Sequence, residues 1–162
     1  MINYNPEYRY IPVNTDIAVI RNLLLSTGFF YDYEIAVAIE LIQDKLDKGE
    51  KSDYNFIFVQ VENKTVAFSC YGLNPCTKNT YDLYWIATHK EYAGRKIGKA
   101  LLQHSEQLIK AKKGAMLIAE TSSRALYYNT RKFYENNGYI AEAIIKDFYN
   151  INDDKIIYIK RF

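Results

Sequence analysis

The sequence predicts one α/β domain built on a mixed sheet that is mostly antiparallel and contains one parallel crossover. The main observation is an amphipathic helical pattern over 97–113, which follows one strand pattern at 82–88 and precedes another at 116–119. A strand, a helix and a further strand in succession indicate two parallel neighbours in the sheet. A polar turn at 62–65, between two runs rich in β-branched and aromatic residues, predicts an antiparallel hairpin.

The remaining elements follow from the same periodicities and complete the order βααβββαβαββ. The sequence predicts strands over 8–13, 55–61, 66–71, 82–88, 116–119, 139–146 and 155–160, and helices over 17–26, 34–48, 97–113 and 125–136. Oxygen-bearing side chains at 14–16 are expected to cap the first helix. No repeat or flexible linker interrupts the chain, so residues 1–162 are predicted to form a single domain.

The composition narrows the classes of partner. The 162 residues are 49% hydrophobic and 25% charged, which suits one globular domain with one core. A formal net charge of +2 is too balanced for the broad positive face that nucleic-acid binding requires. No segment approaches the roughly 20 apolar residues of a membrane span, and no signal peptide pattern is present. We therefore expect a cytoplasmic protein without a nucleic-acid or membrane partner.

Cysteine and histidine spacing predicts neither a disulfide framework nor a metal site. Cys70 and Cys76 are not spaced with His89 and His104 as the ligands of a zinc site would be. The sequence leaves the oligomeric state open, and a homodimer is compatible with it.

The stretch 84–102 is the most informative for chemistry, since it reads as a strand, a basic loop and an amphipathic helix. Free N–H groups in a first helical turn bind anions, and Gly94 and Gly98 allow the backbone to approach a diphosphate closely. Arg95, Lys96 and Lys99 add positive charge. A solvated basic helix start explains these residues equally well on their own.

This stretch resembles the acyl-CoA signature of the GNAT superfamily of N-acetyltransferases, whose loop usually reads Gln/Arg-x-x-Gly-x-Gly/Ala. Residues 93–98 stand in its place, and Gly98 is retained. The sequence departs from the pattern at Ala93, where the first polar residue is usual, and at Lys96, where the first glycine is usual. The resemblance implies a GNAT-like domain that binds acetyl-CoA, with the pyrophosphate at 94–99 and no metal.

A second block resembles the family's Asn-x-x-Ala-x-x-x-Tyr-x-x-x-Gly-Phe. Tyr134, Gly138 and Tyr139 match its second half, whereas Tyr127 and Thr130 replace the usual asparagine and alanine. Around 116–120 the chain resembles the ribosomal-protein N-terminal acetyltransferases. The residues implied to bind the cofactor are Ile86, Ala87, Thr88, Ala93, Gly94, Arg95, Lys96, Ile97, Gly98, Lys99 and Asn129.

The resemblance also implies a mechanism, direct attack of a primary amine on acetyl-CoA in a ternary complex. An alkyl ammonium has a reference pKa of about 10.4, so a base should help, and Glu120 is implied in that role. Tyr134 would donate a proton to the departing thiolate, while backbone groups at 86–88 would polarise the thioester carbonyl. The alternative for Glu120 is a strand-end carboxylate in solvent or in a salt bridge. With 16 tyrosines in the chain, packing is the alternative for Tyr134.

The acceptor is less determined than the donor. Aromatic walls with nearby aspartates suit a cationic amine, although core packing and surface loops explain the same residues equally well. The candidates for binding it are Phe29, Phe30, Tyr31, Asp147 and Tyr149. A protein N-terminus or lysine competes with a small amine as the substrate. A non-catalytic acyl-CoA sensor of the same fold is the alternative function, and the presence of Glu120 and Tyr134 favours catalysis.

Overall fold

The computed structural model describes residues 6–162, and its elements confirm the predicted order βααβββαβαββ. The helices are α1 (Asp16–Thr27), α2 (Asp32–Lys48), α3 (Ile97–Ala111) and α4 (Tyr128–Asn136). The strands are β1 (Glu7–Arg9), β2 (Asn55–Val61), β3 (Lys64–Leu73), β4 (Thr80–Thr88), β5 (Met116–Ser122), β6 (Ile140–Asn150) and β7 (Asp153–Arg161). The strands form one sheet in the order β1-β2-β3-β4-β5-β7-β6.

The sheet is mixed, as the sequence predicts. β4 and β5 run parallel, with Thr80 opposite Met116 and Leu83 opposite Ala119. The pairs β1–β2, β2–β3, β5–β7 and β6–β7 run antiparallel. The predicted hairpin is present between β2 and β3, where Glu62 and Asn63 both adopt left-handed φ angles of 50° and 62°. Two such residues in succession match the right-handed twist of the flanking strands.

The described residues group into two compact units, of which the first comprises 6–72 and 85–105. Its core forms where the apolar faces of α1 and α2 meet side chains of β2 and β3. Its fully buried members include Ile20, Leu24, Ile35, Ile42, Phe58 and Phe68. Helical spacing on two helices and alternation on two strands thus converge on one hydrophobic cluster.

The N-terminal prediction was wrong in its extent, because β1 ends at Arg9 instead of continuing to Val13. The Arg9 guanidinium donates two hydrogen bonds, of 2.8 and 2.7 Å, to the carboxylate of Asp16, which is only 2% exposed. The Val13 N–H also donates to this carboxylate, at 2.8 Å. The expected side-chain cap differs as well, since Thr15 makes no such bond and Asp16 instead binds the loop before α1. This buried charge pair holds residues 10–15 in a loop, so they do not continue β1.

The second unit comprises 73–84 and 106–162. Glu106 of α3 is 5% exposed and accepts hydrogen bonds from the Tyr139 hydroxyl, at 3.0 Å, and the Lys160 ammonium, at 2.8 Å. Burial and the neighbouring carboxylate raise the pKa of Tyr139, so its phenol stays protonated as a donor. Lys160 also donates to the Asn137 carbonyl, at 2.9 Å. One buried carboxylate therefore connects α3, β7 and the turn after α4.

Some element boundaries differ from the predicted ones. β5 runs to Ser122, so Glu120 lies within the strand and not after its end. α3 ends at Ala111, and a short 3-10 turn over Ala125–Tyr127 precedes α4. Within residues 6–162, no helix is long and apolar enough to cross a membrane. The same residues contain no group of three or more His, Cys, Asp or Glu side chains placed to hold a metal ion.

Replacing Arg9 by methionine tests the buried charge pair. The variant keeps an aliphatic side chain but leaves the Asp16 carboxylate buried without its cation. We expect the free energy of unfolding, measured by urea denaturation, to fall by about 3 kcal/mol, at the low end for buried pairs because Arg9 is partly exposed. Arg21→Met on the exposed side of α1 is the matched control and should change little. Equal losses in the two variants would contradict this account.

Candidate functional site

The loop between β4 and α3 has the features of an anion site. It is exposed over 93–96, and Gly94 takes a left-handed φ of 76° with open space where a Cβ would stand. The first helical hydrogen bond of α3 runs from the Ala100 N–H to the Lys96 carbonyl, at 3.0 Å. The N–H groups of residues 97–99 come before it, so no helical carbonyl accepts them. No acidic side chain lies in the first turn of α3. These donors suit a phosphate group.

Lys96 occupies the position at which the GNAT acyl-CoA signature, which this stretch resembles, usually has its first glycine. Its φ of 64° is left-handed, the region that glycine enters without a steric penalty. The departure at this position therefore retains the backbone conformation of a glycine and adds a cation beside the helix N-terminus.

Several hydrogen bonds hold the beginning of this loop. The His89 N–H donates to the Val66 carbonyl at 2.8 Å, and the Lys90 N–H donates to the Ser26 hydroxyl at 3.2 Å. The Glu91 N–H donates to the His89 Nδ1 at 3.3 Å. The Arg95 guanidinium lies 5.0 Å from the centre of the Tyr92 ring. These contacts define the path of the loop.

The end of β4 supplies the other predicted cofactor positions. Ala87 is buried in the core cluster of the first unit, whereas Ile86 and Thr88 are half-buried. Because the Ala87 side chain is used in packing, its backbone groups are what it can offer a ligand. Asn129, at the second position of α4, is exposed.

Glu120 is the exposed carboxylate of β5, with 45% of its side chain accessible. Its Oε2 lies 2.6 Å from the Nζ of Lys155 on β7, so the salt bridge considered from the sequence is present. The Lys155 Nζ lies 3.7 Å from the centre of the Phe148 ring and 6.0 Å from that of Tyr149. The parallel register with β4 ends at Ala119, so Glu120 is the first residue beyond it.

Asp82 is a second carboxylate that the sequence analysis missed. It lies opposite Ile118 and therefore on the same face of the sheet as Glu120. The amide of Asn74 donates to it at 3.0 Å. Burial, more than the negative charge of Glu120, raises the pKa of Asp82. Alternation along β4 predicts which face of the strand Asp82 lies on. It does not predict that Asp82 shares a face with Glu120, because that depends on the register between β4 and β5.

Tyr134 of α4 is buried among aromatic rings. Its ring stacks on Tyr158, with centroids 5.6 Å apart, and contacts Tyr139 at 5.4 Å. Burial raises its pKa far above neutrality, so the phenol carries its proton at physiological pH. Tyr158 pairs with Ala119, which places Tyr134 against the face of β5 opposite to Glu120. The structure thus places the two predicted catalytic side chains on opposite faces of one strand.

Thr121 is a further polar group that the sequence analysis missed. It follows Glu120 and so shares the face of β5 with Ala119. Its side chain is buried, and its hydroxyl lacks a hydrogen-bond partner within the described residues. Burying a hydroxyl without a hydrogen-bond partner costs free energy. The Thr121 hydroxyl is therefore a group to which water or a ligand could hydrogen-bond on this face of β5.

The predicted acceptor residues between α1 and α2 differ in their surroundings. Phe30 packs against the hydrophobic core and meets Trp85 edge-on, with ring centroids 5.0 Å apart. Phe29 is half-buried, and Tyr31 is half exposed and stacks on Tyr33 at 5.4 Å. Phe30 therefore has a structural role, whereas Tyr31 presents its ring to solvent.

The predicted acceptor residues near the end of β6 lie in an irregular segment. Asp147 takes a left-handed φ of 52°, and its carboxylate accepts the Asn152 N–H at 2.6 Å. Tyr149 is half exposed and meets Phe148 edge-on at 5.0 Å. Asp147 thus stabilises the turn, while the two rings remain able to face a cation.

Comparisons with known proteins agree with this architecture. A family model described as an acetyltransferase (GNAT) domain matches residues 52–141. The structure is similar to that of a proposed GNAT-family acetyltransferase from Desulfovibrio desulfuricans, with 38% identity, coverage of 96% of this chain and 98% of that chain, and a TM-score of 0.94. No curated protein matched the sequence.

Two more distant structures share the fold. The ribosomal-protein-S18-alanine N-acetyltransferase from Escherichia coli is 19% identical, with coverage of 96% of this chain and 93% of that chain and a TM-score of 0.73. The paia N-acetyltransferase from Thermoplasma acidophilum, in complex with coenzyme A, is 20% identical, with coverage of 98% and 99% and a TM-score of 0.73.

Lys96→Gly tests the left-handed conformation in the loop. Removing the side chain relieves a steric cost of about 1–2 kcal/mol, and the extra freedom of glycine in the unfolded chain offsets part of it. We expect a net gain of about 0.5 kcal/mol in the free energy of unfolding, measured in urea. Lys99→Gly, in the right-handed first turn of α3, is the control and should lose about 1 kcal/mol. Losses of similar size in both variants would show that the φ of Lys96 is not strained.

Proposed function

Because the chain belongs to the GNAT family of acetyltransferases, we propose that it transfers the acetyl group of acetyl-CoA to a primary amine by direct attack in a ternary complex. The observation that carries the proposal is the exposed loop 93–96, which leads into α3, where the N–H groups of the first turn have no helical carbonyl to accept them and no acidic side chain is present. Its donors and cations suit the pyrophosphate of the cofactor. The coenzyme A in the Thermoplasma acidophilum relative is consistent with this proposal.

Glu120 acts as the base in this proposal. A primary ammonium must lose a proton before it can attack, and a carboxylate within hydrogen-bond reach or one water away can accept it. Two properties support the role, namely the partial exposure of the side chain and its place just beyond the β4–β5 register. Asp82 on the same face adds a second carboxyl group, whose raised pKa lets it hold a proton at higher pH than an ordinary aspartate.

Tyr134 acts as the proton donor to the departing thiolate. A thiol has a reference pKa of about 8.5, so the thiolate is a tolerable leaving group that protonation still assists. Burial keeps the Tyr134 phenol protonated, so it is present as a hydrogen-bond donor to the developing thiolate, and its pKa above that of a thiol means that Tyr134 must regain a proton from solvent as it gives one up. The opposite faces of Glu120 and Tyr134 are compatible with these roles if the reaction takes place at the margin of β5 beyond Ala119, where β4 no longer pairs.

The alternative function is an acyl-CoA sensor that binds the cofactor without turnover. The ion pair between Glu120 and Lys155 favours this alternative, because it engages the carboxylate that would act as the base. Thiol release from acetyl-CoA, followed with a panel of peptide N-termini, lysine peptides and small amines, separates the two. Acceptor-dependent release supports transfer, whereas tight acetyl-CoA binding without release from any acceptor supports the sensor.

Gly98→Asp tests the cofactor site. The change adds a side chain and a negative charge to the first turn of α3, where the phosphates need bare backbone, so we expect acetyl-CoA affinity to fall by about 10²-fold or more. Isothermal titration on the folded variant measures it. Gln103→Asp adds the same charge at an exposed position farther along α3 and should bind acetyl-CoA almost normally. Unchanged acetyl-CoA affinity in Gly98→Asp would show that the pyrophosphate does not bind at this loop.

Glu120→Gln tests the base. We expect turnover to fall most at neutral pH and to recover partly as alkali deprotonates the free amine, with little change in acetyl-CoA affinity. Glu142→Gln, which alters another exposed strand carboxylate paired with a cation, is the control. An unchanged rate and pH profile in Glu120→Gln would leave Glu120 with only a structural role.

Tyr134→Phe tests the acid. The ring and its packing remain, so we expect turnover to fall by about 10²–10⁴-fold with folding and acetyl-CoA binding nearly intact. Tyr139→Phe is the control, since this buried neighbour uses its hydroxyl on Glu106 and should lose stability in preference to turnover. Full turnover in Tyr134→Phe would assign Tyr134 to packing and make water the proton donor.

A further inference from the structure

A primary amine of the chain itself, that of Lys155, lies beside the Glu120 carboxylate and two aromatic rings. Lys155 lies on β7 opposite Ser122, which follows Glu120 on the same face of β5. The Lys155 Nζ is 2.6 Å from the Glu120 carboxylate. The face of Phe148 lies 3.7 Å from the same nitrogen, with Tyr149 at 6.0 Å. A carboxylate and two aromatic rings are a typical environment for an alkyl ammonium.

The distance between the Glu120 carboxylate and the Lys155 nitrogen suits a general base and the atom from which it removes a proton. A general base must lie within about 2.6–3.2 Å of the atom that gives up the proton, and Glu120 meets this condition for Lys155 without any movement. Only 13% of the Lys155 side chain is exposed, so the amine is held and not swinging in solvent. Asp82, with its pKa raised mainly by burial, is a second carboxyl group on the same face.

Other lysines in ion pairs differ from Lys155 in this respect. Lys146 is 78% exposed and pairs with Asp154, which also accepts the Asp147 N–H. Lys160 pairs with the buried Glu106, which the Tyr139 hydroxyl shares. Neither partner is the carboxylate assigned to the reaction. Lys155 therefore differs from Lys146 and Lys160 in having surroundings that match those required of the substrate.

We propose that the chain acetylates its own Lys155, an inference that rests on the proposed function. Glu120 takes a proton from the Lys155 ammonium, and the free Nζ attacks the carbonyl carbon of acetyl-CoA. The new N–C bond replaces the C–S bond, the nitrogen loses its second proton, the leaving thiolate takes that proton up to become the thiol of CoA, and Glu120 releases the first proton to water. The products are Nε-acetyl-Lys155 and CoA. Since the amide is neutral, the modification removes the ion pair and leaves the Glu120 carboxylate available to an external amine.

The test is incubation of the full chain with acetyl-CoA that carries an isotope-labelled acetyl group, followed by peptide mass spectrometry. Chemical acetylation favours exposed lysines, so Lys146 on the neighbouring strand is the internal control. We expect Lys155 to be labelled at least about tenfold faster than Lys146 at neutral pH, at a rate that does not change on dilution. Glu120→Gln should slow labelling of Lys155 by about 10²-fold and leave that of Lys146 unchanged.

Two results would overturn the proposal while the proposed function stands. One is thiol release with an external amine while Lys155 stays unlabelled, and the other is labelling of Lys155 that depends on protein concentration or persists in Glu120→Gln. Absence of both external turnover and labelling would instead overturn the proposed function and this inference with it. Lys155→Arg, which keeps the charge opposite Glu120, should abolish labelling at this position and confirms the site.

Discussion

The parallel pairing of β4 with β5 is the constraint on which the candidate site depends. Parallel neighbours cannot be joined by a tight turn, so the chain must leave β4, form a crossover helix and return. α3 is that crossover, and its first turn necessarily presents N–H groups that no helical carbonyl accepts. The candidate anion site is thus a consequence of the topology, while Gly94 and Lys96, with left-handed φ angles, shape the backbone before it.

The same pairing determines where the side chains proposed for acid–base roles lie. Its register ends at Ala119, and alternation along β5 then sends Glu120 to one face and Thr121 to the other. The antiparallel register with β7 brings Lys155 to Glu120 on the first face and Tyr158, with Tyr134 stacked on it, to the second. Two registers therefore decide which residues face Glu120 and which face Thr121, although the residues concerned are far apart in the sequence.

Sequence patterns predicted what depends on local periodicity. The element order, the mixed sheet and the family resemblance are confirmed, because helical and strand spacing and the two motif blocks are contained in short stretches. The N-terminal strand was predicted too long because the bond from Arg9 to the buried Asp16 is a tertiary interaction. β5 was predicted too short because Thr121 and Ser122 are polar, whereas pairing with β7 makes them strand. Lys155 and Asp82 were missed because the registers that bring them to Glu120 are not local.

Among the carboxylates that have a cationic partner, exposure distinguishes Glu120 from Asp16 and Glu106. Asp16 and Glu106 are almost fully buried, so an uncompensated charge would be costly and their partners serve stability. Glu120 is about half exposed, so water can solvate it when Lys155 loses its charge or moves away. An ion pair that can be broken at modest cost is suited to proton transfer, whereas one that cannot is suited to holding helices and strands together. In the proposed reaction, the partial exposure of Glu120 is what lets the same type of contact take part in proton transfer at β5.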